Sequence, residues 1–369
     1  MGDDTVHGGF WTEHDPEESR IVALTDALRE GDGPADLAGV WPEALWSTIV
    51  ESGVLRWSVP AEHGGDACPR PLLVQRYARL AEASLTAVFI LSQHDAAVRR
   101  LSSVADRPKA AEWLSRIAQG RATATVGISQ LTTSRRLGAK ALVATEVGPG
   151  RYRLDGSMPW VTAAERADVF VTGALLEDGR QLLLTLPGDR PGLSVLPAFD
   201  LAALQASRTA EVAVKGVEID ADDILVGPTN EIASQPGAVG TAGLETSALA
   251  LGQAAAALGT LADLAALGRD DLAEPVAQLR EGWRRAWAAL MTCARGEGDA
   301  ASAATLRAEA NALALRTTQA YLTARRGSGF LRVDPAQRWA RQALFFLVWS
   351  CPSPIAQAAI RDLAGICPA

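Results

Sequence analysis

Trp160 and Thr162 stand two residues apart at the end of a strand-like run, so a flat apolar ring and a hydroxyl arrive at one place. A planar heteroaromatic cofactor needs that combination, an aromatic wall beside a hydrogen-bond donor. Ordinary sheet packing is the other use of a Trp-x-Thr segment. The four cysteines, Cys68, Cys293, Cys351 and Cys367, are widely spaced with no Cys-x-x-Cys pair. They indicate neither a zinc site nor a disulfide framework, and read as reduced thiols of a cytoplasmic protein.

The elements that must position these residues follow from periodicity. Apolar residues recur at helical spacing over Glu18 to Leu28, Pro42 to Ser52, Pro69 to Ala83, Ser84 to Leu101 and Ala110 to Gly120. Tyr152-Arg153-Leu154 alternates, Asp155-Gly156 is a tight-turn signal, and Met158 to Thr162 resumes extended, which predicts a hairpin. The β-branched run from Ala167 to Ala174 suits a buried strand, and further strands are expected at Gln181 to Pro187, Gly192 to Leu196 and Ser207 to Ile219. From Gly243 the composition turns Ala- and Leu-rich with helical periodicity, enough for four or five long helices in a bundle. The first 14 residues are charged and Gly-bearing, and are expected to be poorly ordered.

With 369 residues, 48% hydrophobic and 21% charged, the chain is long enough for two or three successive cores. A net charge of −8 argues against a nucleic-acid or anionic-membrane surface. The acidic start has no apolar run behind it and does not read as a signal peptide. The longest apolar stretch, Ala248 to Leu264, contains Gln253 and Asp263. A soluble protein is expected.

The succession Gly127-Ile128-Ser129-Gln130, Tyr152-x-Leu154-Asp155-Gly156, Trp160-Val161-Thr162-x-Ala164 and Ala167-Asp168 resembles the middle β domain of the acyl-CoA dehydrogenase superfamily. The resemblance covers roughly residues 40 to 365 and rests on the order and spacing of these motifs together. It implies an α+β fold: an N-terminal helical domain over 1–122, a middle β-sheet or barrel domain over 123–235, and a C-terminal four-helix-type bundle over 236–369. It also implies a flavin, FAD with FMN as the smaller alternative, held by Ser129 at the ring edge, Trp160 as the wall and Thr162 near N5. Gly327 and Gly329 would serve the distal part of the cofactor. The segment Arg269-Asp270-Asp271-Leu272-Ala273 departs from the family's phosphate-reaching pattern, because two acids would repel phosphate. Ser134-Arg135-Arg136 could bind a phosphate of cofactor or thioester carrier, or be an exposed basic loop. His94 falls near a histidine used by monooxygenase-like members, and a structural use is favoured for it.

The same resemblance implies α,β-dehydrogenation of an acyl thioester or similar small molecule, with a carboxylate as base. Counting nine residues from Arg341 to the usual base position reaches Ser350, which has no acid-base capacity near neutral pH. A minority of the superfamily places the base seven residues before a glycine, and Glu245 has that spacing to Gly252. Glu245 is therefore the candidate catalytic residue, with burial expected to raise its pKa toward the working pH; a helix N-terminal Glu favoured by the macrodipole is the alternative. A monooxygenase of the same fold would need no such base, and a flavin-free scaffold or binding protein would need none of these residues. A homodimer or homotetramer through the C-terminal helices is expected from their apolar surface.

Overall fold

The computed structural model describes residues 10–131, 142–230, 232, 243–349 and 353–366. Five N-terminal helices come first: α1 Glu18–Ala38, α2 Glu43–Glu51, α3 Arg70–Ala83, α4 Leu85–Ser102 and α5 Pro108–Ala118. Eight strands follow: β1 Ala124–Gly127, β2 Val143–Gly148, β3 Arg151–Val161, β4 Val169–Leu176, β5 Gln181–Pro187, β6 Leu193–Val195, β7 Ala210–Ile219 and β8 Ile224–Thr229. The chain ends in α6 Leu244–Ala266, α7 Ala273–Ala294, α8 Ala300–Arg325, α9 Pro335–Leu344 and α10 Ser353–Leu363.

The strands form one sheet in the order β6-β7-β3-β2-β4-β5-β8. β1 and β2 both run parallel to β4, β1 against Val169 to Thr172 and β2 against Leu175 and Leu176. β4 and β5 are buried on both faces, which accounts for their unbroken apolar runs. Val169, Val171 and Leu183 join a core shared with the helices, whereas Phe170, Leu182, Leu184 and Leu186 join a second core on the other face.

Three sequence expectations are corrected. Asp155-Gly156 is not a turn: β3 runs through it, and the pairing with β7 slips by a bulge between Leu154 and Gly156. Asp155 Oδ1 accepts a hydrogen bond of 2.8 Å from the Gly216 N–H, so the carboxylate is used across strands and not within a turn. The reversal lies at Gly150, φ +69°, between β2 and β3. α1 continues ten residues beyond the expected Leu28, past Gly31, Gly33 and Pro34 to Ala38. The extension is held by burial: Asp32 accepts from Ser84 Oγ at 2.7 Å and pairs with Arg338 at 2.8 Å. Finally, residues 10–14 are docked. Phe10 is buried with its ring edge-on to Trp283 at 4.8 Å, Trp11 packs on both Trp283 and Trp287, and Trp287 Nε1 donates to Thr12 Oγ1 at 3.0 Å.

α6 is long and apolar enough to cross a membrane, yet 72% of its most apolar window is buried inside the protein. Its role here is that of a central core helix, against which α3, α7 and α8 pack.

Candidate functional site

β1 ends at Gly127 and turns into the short helical turn Ser129–Leu131. Gln130 fixes that turn: its buried amide donates to Gly127 O at 2.9 Å, Gly173 O at 2.8 Å and Thr172 Oγ1 at 3.1 Å. Thr172 Oγ1 donates to Gly127 O at 2.6 Å. The Gln130 clamp has no local sequence signal, because its partners on β4 are more than 40 residues away. Ser129 is half-buried beside this clamp.

A period of two would put Trp160 and Thr162 on one face, but β3 ends at Val161, and beyond it the two side chains part. Trp160 is 51% exposed, with its ring tilted by 43° against Phe199 at 4.5 Å. An exposed tryptophan braced by a second aromatic offers a flat apolar surface, which ordinary sheet packing would have buried. Thr162 turns inward and is buried. Its hydroxyl shares a 3.1 Å hydrogen bond with Thr209 Oγ1, which meets Ser207 Oγ at 2.9 Å, and its carbonyl accepts from Thr125 Oγ1 at 2.8 Å. The hydroxyl chain holds the strand end that presents Trp160.

Glu245 lies in the first turn of α6 and is 3% exposed. Arg70 from α3 donates to its Oε1, and Arg99 from α4 lies 3.0 Å from the same oxygen. Burial alone would raise the carboxyl, but the charges of Arg99 and Arg70 outweigh it and hold Glu245 down at about 2. The expected upward shift is thus corrected. Arg99 also faces a second buried carboxylate, Asp95, which accepts from Tyr77 Oη and, at 3.0 Å, from Ser58 Oγ. Burial pushes Asp95 up to about 6, against those hydrogen bonds and the Arg99 charge. Local sequence gives no signal for this network, since its members come from α3, α4 and α6 and, with Ser58, from the connection between α2 and α3.

Glycines set the approach of these helices. A Cβ on Gly243 would fall 2.2 Å from Glu245 Oε2, and one on Gly252 would fall 2.1 Å from Ala78 O on α3. The spacing from Glu245 to Gly252 therefore has a packing cause: α6 must touch the α3 backbone for Arg70 to reach the carboxylate. Gly252→Ala is expected to cost about 1–3 kcal/mol by overpacking, read as a lowered denaturation midpoint. An unchanged midpoint would mean that α3 and α6 can separate freely.

The remaining residues of interest are placed as follows. His94 is buried, accepts from the Ala124 N–H at 3.0 Å, and is held neutral by burial with its pKa near 4. That is the environment of a structural histidine. Gly327 and Gly329 lie in the turn Arg326–Phe330 after α8; Gly327 is open, whereas a Cβ on Gly329 would meet Arg325 Cβ at 2.6 Å. Arg269 pairs with its own neighbour Asp271 at 2.7 Å. Ser134, Arg135, Arg136, Ser350, Cys351, Pro352 and Cys367 lie outside the described residues. Among the described residues, no group of three His, Cys, Asp or Glu could hold a metal ion. Nor does any hydrogen bond, ion pair or ring contact among them join the Glu245 network to Trp160, Thr162 or the Gly327 turn.

No protein-family model matches the chain. The chain is similar to the "Probable acyl-CoA dehydrogenase YngJ" of Bacillus subtilis (strain 168), 24% identical over 231 residues, which is 60% of this chain and 60% of that protein. It thus spans about three fifths of that relative. Among solved structures it is similar to butyryl-CoA dehydrogenase from Megasphaera elsdenii, with a TM-score of 0.79 and 17% identity over 96% of this chain and 99% of that one. It is also similar to the dibenzothiophene monooxygenase TdsC from Paenibacillus sp. A11-2, with a TM-score of 0.78 and 19% identity over 94% of this chain and 95% of that one.

Proposed function

We propose that this chain, which is similar to acyl-CoA dehydrogenases in sequence and in fold, is a flavin-dependent oxidoreductase acting on an acyl thioester or similar small molecule, with oxygen-dependent, monooxygenase-type chemistry. The observation that carries the reaction type is the state of Glu245. A base for an α-proton works best with a pKa near the operating pH. Arg99 and Arg70 hold Glu245 far below that range, at about 2, so it is ionised at neutral pH but a weak base. Its two arginine partners use it as a counter-ion. A monooxygenase-type reaction needs no α-carbon base.

The flavin reading is supported by the exposed Trp160, packed against Phe199, as a flat apolar surface that fits a planar ring. Trp160 would pack on the ring, Ser129 would meet its edge, and Thr162, whose hydroxyl is turned inward, would hold the strand end rather than reach the ring. Gly327 offers an open backbone for the distal part. When bound, the flavin supplies a two-electron carrier whose reduced form reacts with dioxygen. The protein's part is to shape a dry wall at Trp160 and to position the substrate against it. FAD is the proposed form, with FMN as the smaller alternative. A homodimer or homotetramer is proposed through the C-terminal helices, where Leu344 and Val348 are exposed.

Dehydrogenation by Glu245 is the second reading, favoured by the name of the curated relative. The two separate in one experiment. Flavin-loaded protein is mixed anaerobically with acyl thioesters, and separately supplied with externally reduced flavin and oxygen. Oxygenated product without anaerobic flavin reduction supports the proposal; rapid anaerobic reduction by an acyl thioester rejects it in favour of dehydrogenation.

Trp160→Ala is expected to weaken flavin binding by about 1–3 kcal/mol, from lost ring contact. Titration of the yellow flavin absorption, or quenching of free flavin fluorescence, reads this directly. Unaltered affinity would remove Trp160 from the site.

A further inference from the structure

A second bulge in β3 falls at Trp160. Met158 pairs with Val212 and Val161 with Ala210, so Pro159 and Trp160 together stand opposite the single residue Glu211 on β7. A bulge bends its strand and re-aims a side chain; here Pro159 stays buried while Trp160 turns out to solvent.

The corner beside this bulge is strained. Ala163, Leu204 and Arg208 have φ of +54°, +60° and +50°, three of the five non-glycine residues with left-handed backbone among the described ones. Such backbone persists only where the surroundings over-determine it. The Ala163 N–H donates to Ser207 O at 2.9 Å, and Arg208 Nε donates to Glu165 at 3.0 Å, so the end of β3 and the loop before β7 are tied across the strained residues.

Thr209 is where these ties reach the aromatic pair. Its hydroxyl meets Thr162 Oγ1 at 3.1 Å, two residues beyond Trp160, and Ser207 Oγ at 2.9 Å. Its carbonyl accepts from the Phe199 N–H at 2.9 Å. One residue thus holds both the strand end that carries Trp160 and the backbone that carries Phe199. Thr162, Ser207 and Thr209 are all buried, so bulk water does not replace a hydroxyl removed there.

We propose that Thr209 is a positioning residue for the Trp160–Phe199 pair, fixing the separation of the two rings and the face that Trp160 offers to a planar ligand. This assignment rests on the flavin reading and deepens it: Thr209 acts through the two aromatic side chains.

Thr209→Val keeps the shape and the backbone carbonyl but removes the hydroxyl, and Thr209→Ser keeps the hydroxyl. Thr185→Val is the control for general loss of packing; it removes a buried hydroxyl, bonded to Asp223 O at 3.3 Å, on β5, which β2 and β4 separate from β3. The full chain is labelled with 5-fluorotryptophan, Trp160→Phe identifies the Trp160 fluorine resonance, and near-UV circular dichroism confirms the fold of each variant. Without flavin, that resonance should move in Thr209→Val and keep its parent position in Thr209→Ser and Thr185→Val. Flavin affinity, read by fluorescence quenching, should fall about two- to tenfold in Thr209→Val, the range expected for one lost hydrogen bond, and stay at the parent value in the other two. Where Thr209→Val does not fold, Ser207→Ala, which removes the far partner of the Thr209 hydroxyl, is read in its place by the same criteria. An unmoved Trp160 resonance in the folded variant, or an equal movement in Thr185→Val, overturns the proposal. So does an unchanged flavin affinity in Thr209→Val where Trp160→Ala weakens it. Failure of the flavin reading is distinct: unaltered affinity in Trp160→Ala rejects that reading, and the fluorine resonance of the flavin-free chain still decides whether Thr209 holds the pair.

Discussion

Glu245→Gln lowers the unfolding free energy by about 3–5 kcal/mol, the usual cost of removing one partner from a buried ion pair. The glutamine retains an acceptor for Arg70, but Arg99, itself mostly buried, loses its closest counter-charge. The sign of the pH dependence follows from the direction of the shift. Glu245 titrates near 2 in the folded chain against an ordinary 4.5, so its contribution is complete above about 4.5 and is lost as pH falls toward 2. The difference in stability between the parent and Glu245→Gln should therefore be full at neutral pH and close on acidification. Asp95, raised to about 6, runs the other way: it favours the folded chain below its ordinary value and loses that contribution as pH rises to about 6. Urea denaturation of the two proteins across pH 3 to 7 compares these effects. A difference that stays constant across that range would mean that Glu245 is not ionised between its arginines. The variant also bears on the reaction: if oxygen-dependent turnover survives wherever the variant is folded, Glu245 is a counter-ion, whereas a fall of about 10²–10⁴ at equal flavin content would restore it as a base.

Arg76→Met is expected to cost a similar amount, about 3–5 kcal/mol, at a place remote from the proposed flavin wall. Arg76 grips Asp15 with two hydrogen bonds, 2.8 Å and 2.7 Å, and Glu17 with a third at 2.9 Å. Both Arg76 and Asp15 are buried, so methionine would leave the Asp15 carboxylate without its cation. Burial would raise the Asp15 carboxyl, but the Arg76 hydrogen bonds and charge hold it below its ordinary value. The contribution of the pair is accordingly present at neutral pH and lost as pH falls through the carboxylate range. Methionine keeps most of the contact that Arg76 makes over the Trp57 ring at 4.7 Å. Adding Asp15→Leu to Arg76→Met should recover much of the loss, because a well-packed apolar pair avoids the burial of a lone charge. A single variant as stable as the parent would mean that the N-terminal segment is held by Phe10 and Trp11 without help from the ion pair.

Sequence alone determined the elements whose signal is local. The apolar runs of β4 and β5 and the helical periodicity of α2 to α5 were legible because burial period and chain period coincide there. The motifs around Ser129, Trp160 and Thr162 located a candidate wall, and the spacing of Glu245 to Gly252 located a candidate base. What tertiary structure decided depends on partners far along the chain. Asp155-Gly156 has turn chemistry, yet β7 pairs on both sides of it and carries the strand through as a bulge. The helical spacing legible in sequence stops at Leu28, yet Asp32 is fixed by Ser84 and Arg338, so α1 continues past Gly31, Gly33 and Pro34. Trp160 and Thr162 look alike in sequence, but only the fold exposes the first and buries the second. Glu245 shows the limit most clearly. A carboxylate on a helix N-terminus predicts nothing about its pKa until the neighbours are known, and Arg70 comes from 175 residues earlier. Burial without those arginines would have raised it; with them it is driven down, because opposite charge at contact distance outweighs desolvation.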